Sequence, residues 1–145
     1  MATKTYQRTA PRRIIDALSS VVARLGMSSR TAVIFTTGRT SGETRSTPVD
    51  LTRVDGEVYV VGIYGPKSWV LNLRADPACR VRGKGGETAY TAVELPAAEG
   101  APVLRQYLRE SSLVRDYQDV GPDASDEAME AAAADRPVFR LDAAA

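Results

Sequence analysis

The sequence contains no histidine, and this absence excludes more chemistry than any other feature of its 145 residues. Without an imidazole, the chain cannot build a Ser-His-Asp or Cys-His pair, a histidine zinc site or a histidine general acid. Its one cysteine, Cys79, permits neither an intramolecular disulfide nor a cysteine-rich metal site, which indicates a reducing compartment. No apolar run approaches the roughly 20 residues of a membrane span, and the N-terminus lacks a secretory apolar core. These absences predict a cytoplasmic protein whose chemistry is supplied by a bound cofactor.

The composition is that of one ordinary folded domain, with 43% hydrophobic and 26% charged residues. We expect a flexible tail over residues 1–10 and a single domain over residues 11–145. The net charge of +1 gives no support to nucleic-acid binding, and the basic residues are not interleaved with aromatic ones. Residues 1–86 carry 14 Lys and Arg against 6 Asp and Glu, whereas residues 87–145 carry 5 against 12. The basic part should therefore face a phosphorylated ligand, a membrane surface or the acidic part of a neighbouring chain.

Residues 11–25 have the pattern of an amphipathic helix with one apolar stripe at the 3.6-residue period, formed by Ile14, Ile15, Leu18, Val21, Val22 and Leu25. Pro11 suits the first turn of such a helix, and Gly26 suits the position just past its end. Basic residues flank the stripe, so the helix either packs on its own domain or lies on an anionic membrane. Peripheral contact with the inner face of the cell membrane through residues 11–25 is thus one expectation.

The middle of the chain is rich in β-branched and alternating segments. They predict strands over Thr31–Thr37, Arg45–Val54, Glu57–Ile63, Cys79–Arg82, Thr88–Leu95 and Pro137–Leu141. The Asp55-Gly56 pair predicts a tight hairpin between the second and third of these strands. Helices are expected over residues 69–74, 98–111 and 126–134. Because the order lacks regular strand–helix–strand alternation, we predict an α+β fold, a small antiparallel β-barrel with helices packed outside it.

The connection over residues 38–48 (GRTSGETRSTP) has the composition of an anion-binding loop. It holds two glycines, two arginines and five hydroxyl residues in eleven positions. Glycines let backbone N–H groups approach a ligand, hydroxyl groups donate to phosphate oxygens, and an arginine binds them with two parallel bonds. It is neither a P-loop nor a dinucleotide-binding turn. An ordinary polar connection between strands is the alternative.

Four aromatic positions are further candidates. On a helix, Trp69 and Asn72 share one face and could hold a flat heterocycle, although a single Trp is also a common core anchor. The turn over Tyr64-Gly65-Pro66-Lys67, which carries a tyrosine and a lysine, suits either a pocket rim or a plain turn. Tyr107 has the helical spacing of a core residue, whereas Tyr117, in an irregular polar segment, is the better functional candidate. We expect Cys79 to be inert packing.

In combination, these segments resemble the deazaflavin-dependent nitroreductase family of actinobacteria. That family belongs to the split β-barrel (FMN-binding split-barrel-like) flavin and deazaflavin oxidoreductases. The resemblance depends on an ordered set of motifs: the 38–48 loop, the Asp-Gly hairpin with EVYVVGI, the WVLNLRADP segment and the closing RPVFRL strand. These motifs span about residues 31–141, and the N-terminal amphipathic helix also matches one branch of the family.

The resemblance implies coenzyme F420, a 5-deazaflavin with a phospho-lactyl oligoglutamate tail, as the cofactor. By that match the tail would meet Arg39, Thr40, Ser41 and Arg45. The ring would lie among three groups of residues, namely Ser46, Thr47 and Pro48, then Gly62, Ile63 and Tyr64, and then Ser68, Trp69 and Asn72. Tyr117 falls on a tyrosine that lines the substrate pocket, which makes Tyr117 and Tyr64 the catalytic candidates.

The implied activity is hydride transfer from F420H2 to a small hydrophobic, electron-poor acceptor such as a quinone, an enone or a nitroaromatic compound. Because the deazaflavin carries the hydride itself, the missing histidine is no obstacle. Two alternatives use the same barrel. One is a non-catalytic lipid or fatty-acid carrier, which the apolar helix and Thr40 favour, since the family often has Lys or Arg there. The other is an FMN-dependent reductase. The resemblance implies a monomer or a homodimer.

Overall fold

The computed structural model describes residues 30–115 and 118–144, and a closed barrel of six antiparallel strands forms its frame. The strands are β1 (Thr31–Thr37), β2 (Thr44–Val54), β3 (Glu57–Val61), β4 (Ala78–Gly83), β5 (Gly86–Glu94) and β6 (Val138–Ala143). Around the barrel they follow the order β1-β2-β3-β6-β5-β4, and β4 pairs back with β1. The predicted α+β barrel is therefore confirmed. The expected tail over residues 1–10 and the expected helix over residues 11–25 lie outside the described residues.

Helices lie between the strands in sequence and pack outside the barrel. They are α1 (Ser68–Ala75), α2 (Ala97–Glu110), the short α3 (Ser112–Arg115) and α4 (Asp126–Asp135). The three predicted helices correspond to α1, α2 and α4. At the start of α4 the Ser125 side chain accepts a hydrogen bond from the Ala128 N–H at 3.1 Å, a normal helix N-cap. Within the described residues, none of these helices has the length and apolar content that crossing a bilayer requires.

The β2–β3 hairpin turns where the sequence predicts it. Asp55 and Gly56 both have positive φ angles, 52° and 82°, which is the backbone conformation of the two-residue turns that match strand twist. The prediction that β3 reaches Ile63 is wrong, because the strand ends at Val61. The Gly62 N–H still donates to the Pro137 carbonyl oxygen at 2.7 Å, but Pro137 has no N–H to return the bond. The chain then turns, and the Gly65 N–H donates to the Gly62 carbonyl oxygen at 2.9 Å.

Two apolar clusters stabilise the fold. One fills the barrel and includes Trp69 from α1 and Phe139 from β6, whose ring centroids are 6.3 Å apart. The other lies between the barrel wall and helices α2 and α4, around Leu104 and Met129. Cys79 belongs to the barrel cluster, and burial raises the pKa of its thiol to about 11. The thiol therefore stays protonated near neutral pH, in agreement with the expected packing role.

Candidate functional site

The connection between β1 and β2 closes on itself as a tight turn. The Gly38 N–H donates to the Glu43 carbonyl oxygen at 2.7 Å, and the Gly42 N–H donates to the Gly38 carbonyl oxygen at 2.8 Å. Ser41 Oγ accepts from the Glu43 N–H at 3.1 Å. A Cβ atom on Gly38 would lie 2.7 Å from Ser41 Oγ and 3.1 Å from the Glu43 carbonyl oxygen, so a larger residue there would displace the Ser41 side chain and crowd the turn.

The side-chain amide of Asn72 fastens this turn to α1. Asn72 is 3% exposed, and its Oδ1 accepts from the Arg39 backbone N–H at 3.1 Å and from Arg39 Nη1 at 2.9 Å. Its Nδ2 donates to Thr36 Oγ1 at the end of β1, at 3.2 Å. Arg39 Nη1 also donates to the Ser68 carbonyl oxygen at 3.4 Å. The Arg39 guanidinium is thus held in one orientation by groups that lie 29 and 33 residues further along the chain.

The guanidinium of Arg45 has only long contacts with its neighbours. Its Nη2 lies 3.8 Å from a Glu43 carboxylate oxygen and 3.4 Å from Ser41 Oγ, and the side chain is 46% exposed. An exposed ion pair at this distance contributes little, because water screens it. Arg45 can therefore turn toward an anion that enters beside the turn.

A cavity of about 520 Å³, named here the loop cavity, opens between the turn, β2 and α1. It is lined by Gly38, Arg39, Thr40, Ser41, Arg45, Ser46, Thr47, Ser68, Trp69 and Asn72. Among the described residues, no carboxylate lines it, and two guanidinium groups and five hydroxyl groups do. This lining suits an anion.

A second cavity of about 250 Å³, named here the aromatic cavity, lies on the other side of Trp69. It is lined by Thr31, Pro48, Val49, Asp50, Val61, Gly62, Ile63, Tyr64, Gly65, Lys67, Trp69, Tyr107 and Val114. Trp69 lines both cavities, and the successive β2 residues Thr47 and Pro48 line one each. The two cavities therefore adjoin and form one groove, polar and cationic at one end and mainly apolar at the other.

The glycine at position 62 lets the turn after β3 lie against α1. A Cβ atom there would be 3.1 Å from a Val70 methyl carbon, 3.2 Å from the Gly65 carbonyl oxygen and 3.3 Å from Pro137 Cδ. In this turn Ile63 is buried, whereas Tyr64 is 63% exposed at the edge of the aromatic cavity. The structure thus places the Tyr64 turn at a cavity rim.

All thirteen residues predicted to bind the cofactor line this groove, nine in the loop cavity and four, Pro48, Gly62, Ile63 and Tyr64, in the aromatic cavity alone. Of the two catalytic candidates, Tyr64 lies at the rim and Tyr117 lies outside the described residues. The helical spacing of Tyr107 predicts a core residue. It is 4% exposed and yet also lines the aromatic cavity.

Asp50 lines the aromatic cavity as well and was missed, whereas Lys67, which also lines it, belongs to the turn predicted as a pocket rim. A signal for Asp50 exists in the sequence. Residues two apart on a strand share a face, so a site at Pro48 brings Asp50 to the same face of β2.

A closed split β-barrel with such a groove suits a bound heterocycle that has an anionic tail, as in the flavin and deazaflavin class of oxidoreductases. Residues 6–123 match the model of the F420H2-dependent quinone reductase family. The chain belongs to this family, and it is an oxidoreductase that depends on coenzyme F420. The predicted resemblance to deazaflavin-dependent oxidoreductases is confirmed.

Solved structures share the fold. A structure described as an F420-H2 dependent reductase (FDR-A) has a TM-score of 0.56 at 20% identity, over 80% of this chain and 96% of that chain. One described as an F420 reductase has a TM-score of 0.51 at 17% identity, over 81% and 88%. One described as a domain-swapped dimer has a TM-score of 0.58 at 21% identity, over 92% and 100%. None of the curated proteins compared with the sequence matches it.

The lining of the groove fits such a cofactor. The phosphate and carboxylates of its tail require cations and hydroxyl donors without competing carboxylates, as in the loop cavity. Its flat ring requires apolar and aromatic walls, which Pro48, Ile63 and Trp69 provide beside it. The fit depends on the chemistry of the side chains and on the fact that the two linings adjoin at Trp69.

Proposed function

We propose that this protein transfers a hydride from F420H2 to a small hydrophobic, electron-poor acceptor such as a quinone, an enone or a nitroaromatic compound. The observation that carries the proposal is the pair of adjoining cavities with opposite linings. The loop cavity holds the anionic tail. The aromatic cavity holds the ring beside Trp69 and the acceptor beyond it.

At the tail end, Arg39 and Arg45 have different roles. The bonds from Asn72 orient Arg39 in advance, so it loses little side-chain entropy when an anion binds. Arg45 has no comparably short bond in the groove and moves toward the anion. The hydroxyl groups of Thr40 and Ser41 donate further hydrogen bonds to phosphate or carboxylate oxygens.

At the ring end, the side chains of this chain exclude water and fix the distance between donor and acceptor. Pro48 from β2 and Trp69 from α1 line the aromatic cavity, and Ser46 and Thr47 line the adjoining end of the loop cavity, where the ring continues into the tail. When bound, F420H2 supplies the hydride, and no protein nucleophile is required. Residues that hold the two partners side by side would raise the rate by bringing them to the about 3–3.5 Å that hydride transfer requires.

The residues that line the acceptor end of the groove support the proposed substrate class. The walls there are Val61, Ile63 and the rings of Tyr64 and Tyr107, which suit a small flat apolar molecule. Because Tyr64 is largely exposed at the rim, we expect it to cover the acceptor when one is bound. Tyr117 stays a predicted catalytic residue of the acceptor side.

The proposal is tested by titrating the purified protein with F420, with FMN and with a deazaflavin riboside that lacks the phosphate tail. The fluorescence of Trp69, the only tryptophan, reports occupancy. We expect saturable micromolar binding of F420, weaker binding of the tailless compound and oxidation of F420H2 by menadione. A protein that carries a fatty acid through purification and does not bind F420 would instead be a lipid carrier, and preferred binding of FMN would indicate a flavin reductase.

Replacing Arg45 with alanine is expected to weaken F420 binding by about 1.5–3 kcal/mol, because it removes a charged hydrogen-bond donor to an anionic group. Fluorescence titration measures the change, and Arg45→Lys should recover part of it, since lysine keeps the charge without the planar fork. Arg82→Ala is the matched control. Arg82 is equally exposed, at 46%, but lies on β4 in an ion pair with Glu87. Equal effects of Arg45→Ala and Arg82→Ala would mean that only net charge matters and would remove Arg45 from the site.

A further inference from the structure

Asp50 places a carboxylate in a cavity whose other walls are mainly apolar. It lies on β2 opposite Thr31 of β1, which also lines the aromatic cavity. The Thr31 hydroxyl donates to Asp50 Oδ1 at 3.5 Å, which is longer than a normal hydrogen bond. Within the part of the chain that the structure describes, no ion pair includes Asp50. The protein therefore satisfies this carboxylate only weakly, and its oxygens can accept hydrogen bonds from a ligand.

Lys67 is the other charged residue among the described residues that line this cavity, and water screens its charge more strongly. Lys67 is exposed directly before α1, whereas Asp50 is half-buried. An exposed charge on a flexible side chain contributes little, because water and salt screen it. The field inside the aromatic cavity is therefore dominated by the Asp50 carboxylate, and we expect the cavity to disfavour a negatively charged ligand.

The position of Asp50 along β2 separates it from the loop cavity. On this strand Thr47 lines the loop cavity, and Pro48 lines the aromatic cavity. A strand advances about 3.3 Å per residue, so Asp50 lies about 7 Å beyond Pro48 in the direction away from Thr47. Residues two apart on a strand share a face, so Asp50 and Pro48 face the same side. In the proposed arrangement the ring lies beside Pro48, and the acceptor lies beside Asp50.

We propose that Asp50 is a specificity-determining residue, which selects acceptors that carry a hydroxyl or ammonium group and rejects acceptors that carry a negative charge. The inference rests on the proposed function, because that function assigns the acceptor to the aromatic cavity. A carboxylate accepts hydrogen bonds and cannot donate them. A hydroxyl group on the acceptor donates to Asp50, an ammonium group adds an ion pair, and a carboxylate meets a like charge. A methyl group displaces water from Asp50 without replacing its hydrogen bonds.

The first test compares compounds that differ in a single substituent and measures binding without turnover. The compounds are 4-nitrotoluene, 4-nitrobenzyl alcohol, 4-nitrobenzylamine and 4-nitrobenzoate, and equilibrium dialysis gives their affinities for the protein saturated with oxidised F420. We expect the alcohol and the amine to bind about tenfold more tightly than 4-nitrotoluene, and 4-nitrobenzoate about tenfold more weakly, because hydrogen bonds to a charged group are strong. Equal binding of the alcohol and 4-nitrotoluene, tighter binding of 4-nitrobenzoate, or binding of none of these compounds would contradict the proposal.

Two substitutions distinguish the charge of Asp50 from its capacity to accept a hydrogen bond. Asp50→Asn keeps the shape and one acceptor oxygen but removes the charge, so 4-nitrobenzoate should bind about tenfold more tightly than it binds the unsubstituted protein. Asp50→Leu removes both, so the alcohol and the amine should lose their advantage over 4-nitrotoluene. Because the only hydrogen bond at stake is the long one from Thr31, we expect Asp50→Asn to fold normally. Unchanged relative affinities in Asp50→Asn would overturn the proposal.

A second measurement determines whether Asp50 contacts the acceptor or the coenzyme. Fluorescence titration with F420 alone should give an affinity within twofold of the unsubstituted protein for Asp50→Asn and for Asp50→Leu. The reason is that the proposed ring position is beside Pro48 and Trp69, before the strand reaches Asp50. A loss of F420 affinity as large as the loss of affinity for the alcohol would place Asp50 beside the deazaflavin ring and would contradict its role toward the acceptor.

The matched control is Asp123→Asn, which removes the same charge from an exposed residue that lines neither cavity of the groove. It should leave the relative affinities of the nitro compounds unchanged, and so should Lys67→Gln to within about threefold, because the Lys67 charge is screened. The same change in Asp123→Asn as in Asp50→Asn, or a larger change in Lys67→Gln, would mean that Asp50 does not determine the selectivity. Failure of the proposed function is distinguishable, since it appears as absent F420 binding by the unsubstituted protein.

Discussion

Replacing Asn72 with leucine is expected to weaken F420 binding by about 3–4 kcal/mol and to lower the free energy of unfolding by about 2–3 kcal/mol. The leucine fills a similar volume but removes the acceptor of two Arg39 donors and the donor to Thr36. Arg39 then loses its fixed orientation, and the turn is released from α1. Fluorescence titration measures the affinity, and urea denaturation measures the stability.

The variant Asn72→Asp distinguishes the effect of orienting the Arg39 side chain from the effect of the charge beside the loop cavity. Aspartate keeps an oxygen for both Arg39 donors, and the Thr36 hydroxyl can rotate to donate to the second oxygen. We expect a smaller loss of stability than in Asn72→Leu, and a clear loss of F420 affinity, because the added negative charge neutralises Arg39 beside the loop cavity. If the leucine variant bound F420 as tightly as the unsubstituted protein, the loop cavity could not be the tail site.

Phe139→Ala is expected to lower the free energy of unfolding by about 3–5 kcal/mol, the usual cost of removing a fully buried aromatic ring. Phe139 is 2% exposed in the barrel cluster, and its ring centroid lies 6.3 Å from that of Trp69. The cavity left behind lies against the wall of the groove, so the Trp69 fluorescence maximum should shift as well. Urea denaturation followed by circular dichroism gives the stability independently of that signal.

Thr91→Ala serves as the control for this prediction, because Thr91 is an exposed residue of β5, a neighbour of β6 in the barrel. We expect it to change stability by no more than about 0.5 kcal/mol. Similar losses in both variants would mean that the barrel tolerates no change at all. A loss below about 1 kcal/mol in Phe139→Ala would show that the barrel interior relaxes around the missing ring.

Structural features that depend only on neighbouring residues could be predicted from the sequence. The apolar run of β1 predicts a strand buried on both faces, and Asp55-Gly56 predicts the hairpin that the positive φ angles confirm. The end of β3 could not be predicted from EVYVVGI, which stays apolar beyond Val61. That end is decided by Pro137, 75 residues further on, which stands opposite Gly62 and has no N–H with which to continue the β3–β6 pairing.

In the groove as well, the local sequence predicts some features, and contacts between distant residues decide others. The composition of residues 38–48 predicts an anion-binding loop, but the bonds that orient Arg39 come from Asn72 and Ser68 on a helix far along the chain. The spacing of Tyr107 predicts a buried residue, which is correct, but spacing cannot tell a residue in a filled core from one that borders a cavity. Whether Tyr107 borders a cavity depends on how the chain packs around the closed barrel.

The attachment of the 38–43 turn to α1 separates the residues that determine coenzyme affinity from those that determine which acceptors are reduced. In the proposed arrangement, Asn72 joins Arg39, which would bind the tail, to the helix that carries Trp69, which would lie beside the ring. The acceptor would instead lie against the exposed Tyr64 and against Tyr107 on α2. Substitutions there should change which compounds are reduced without loss of coenzyme affinity, so substrate range can diverge while the electron source is retained.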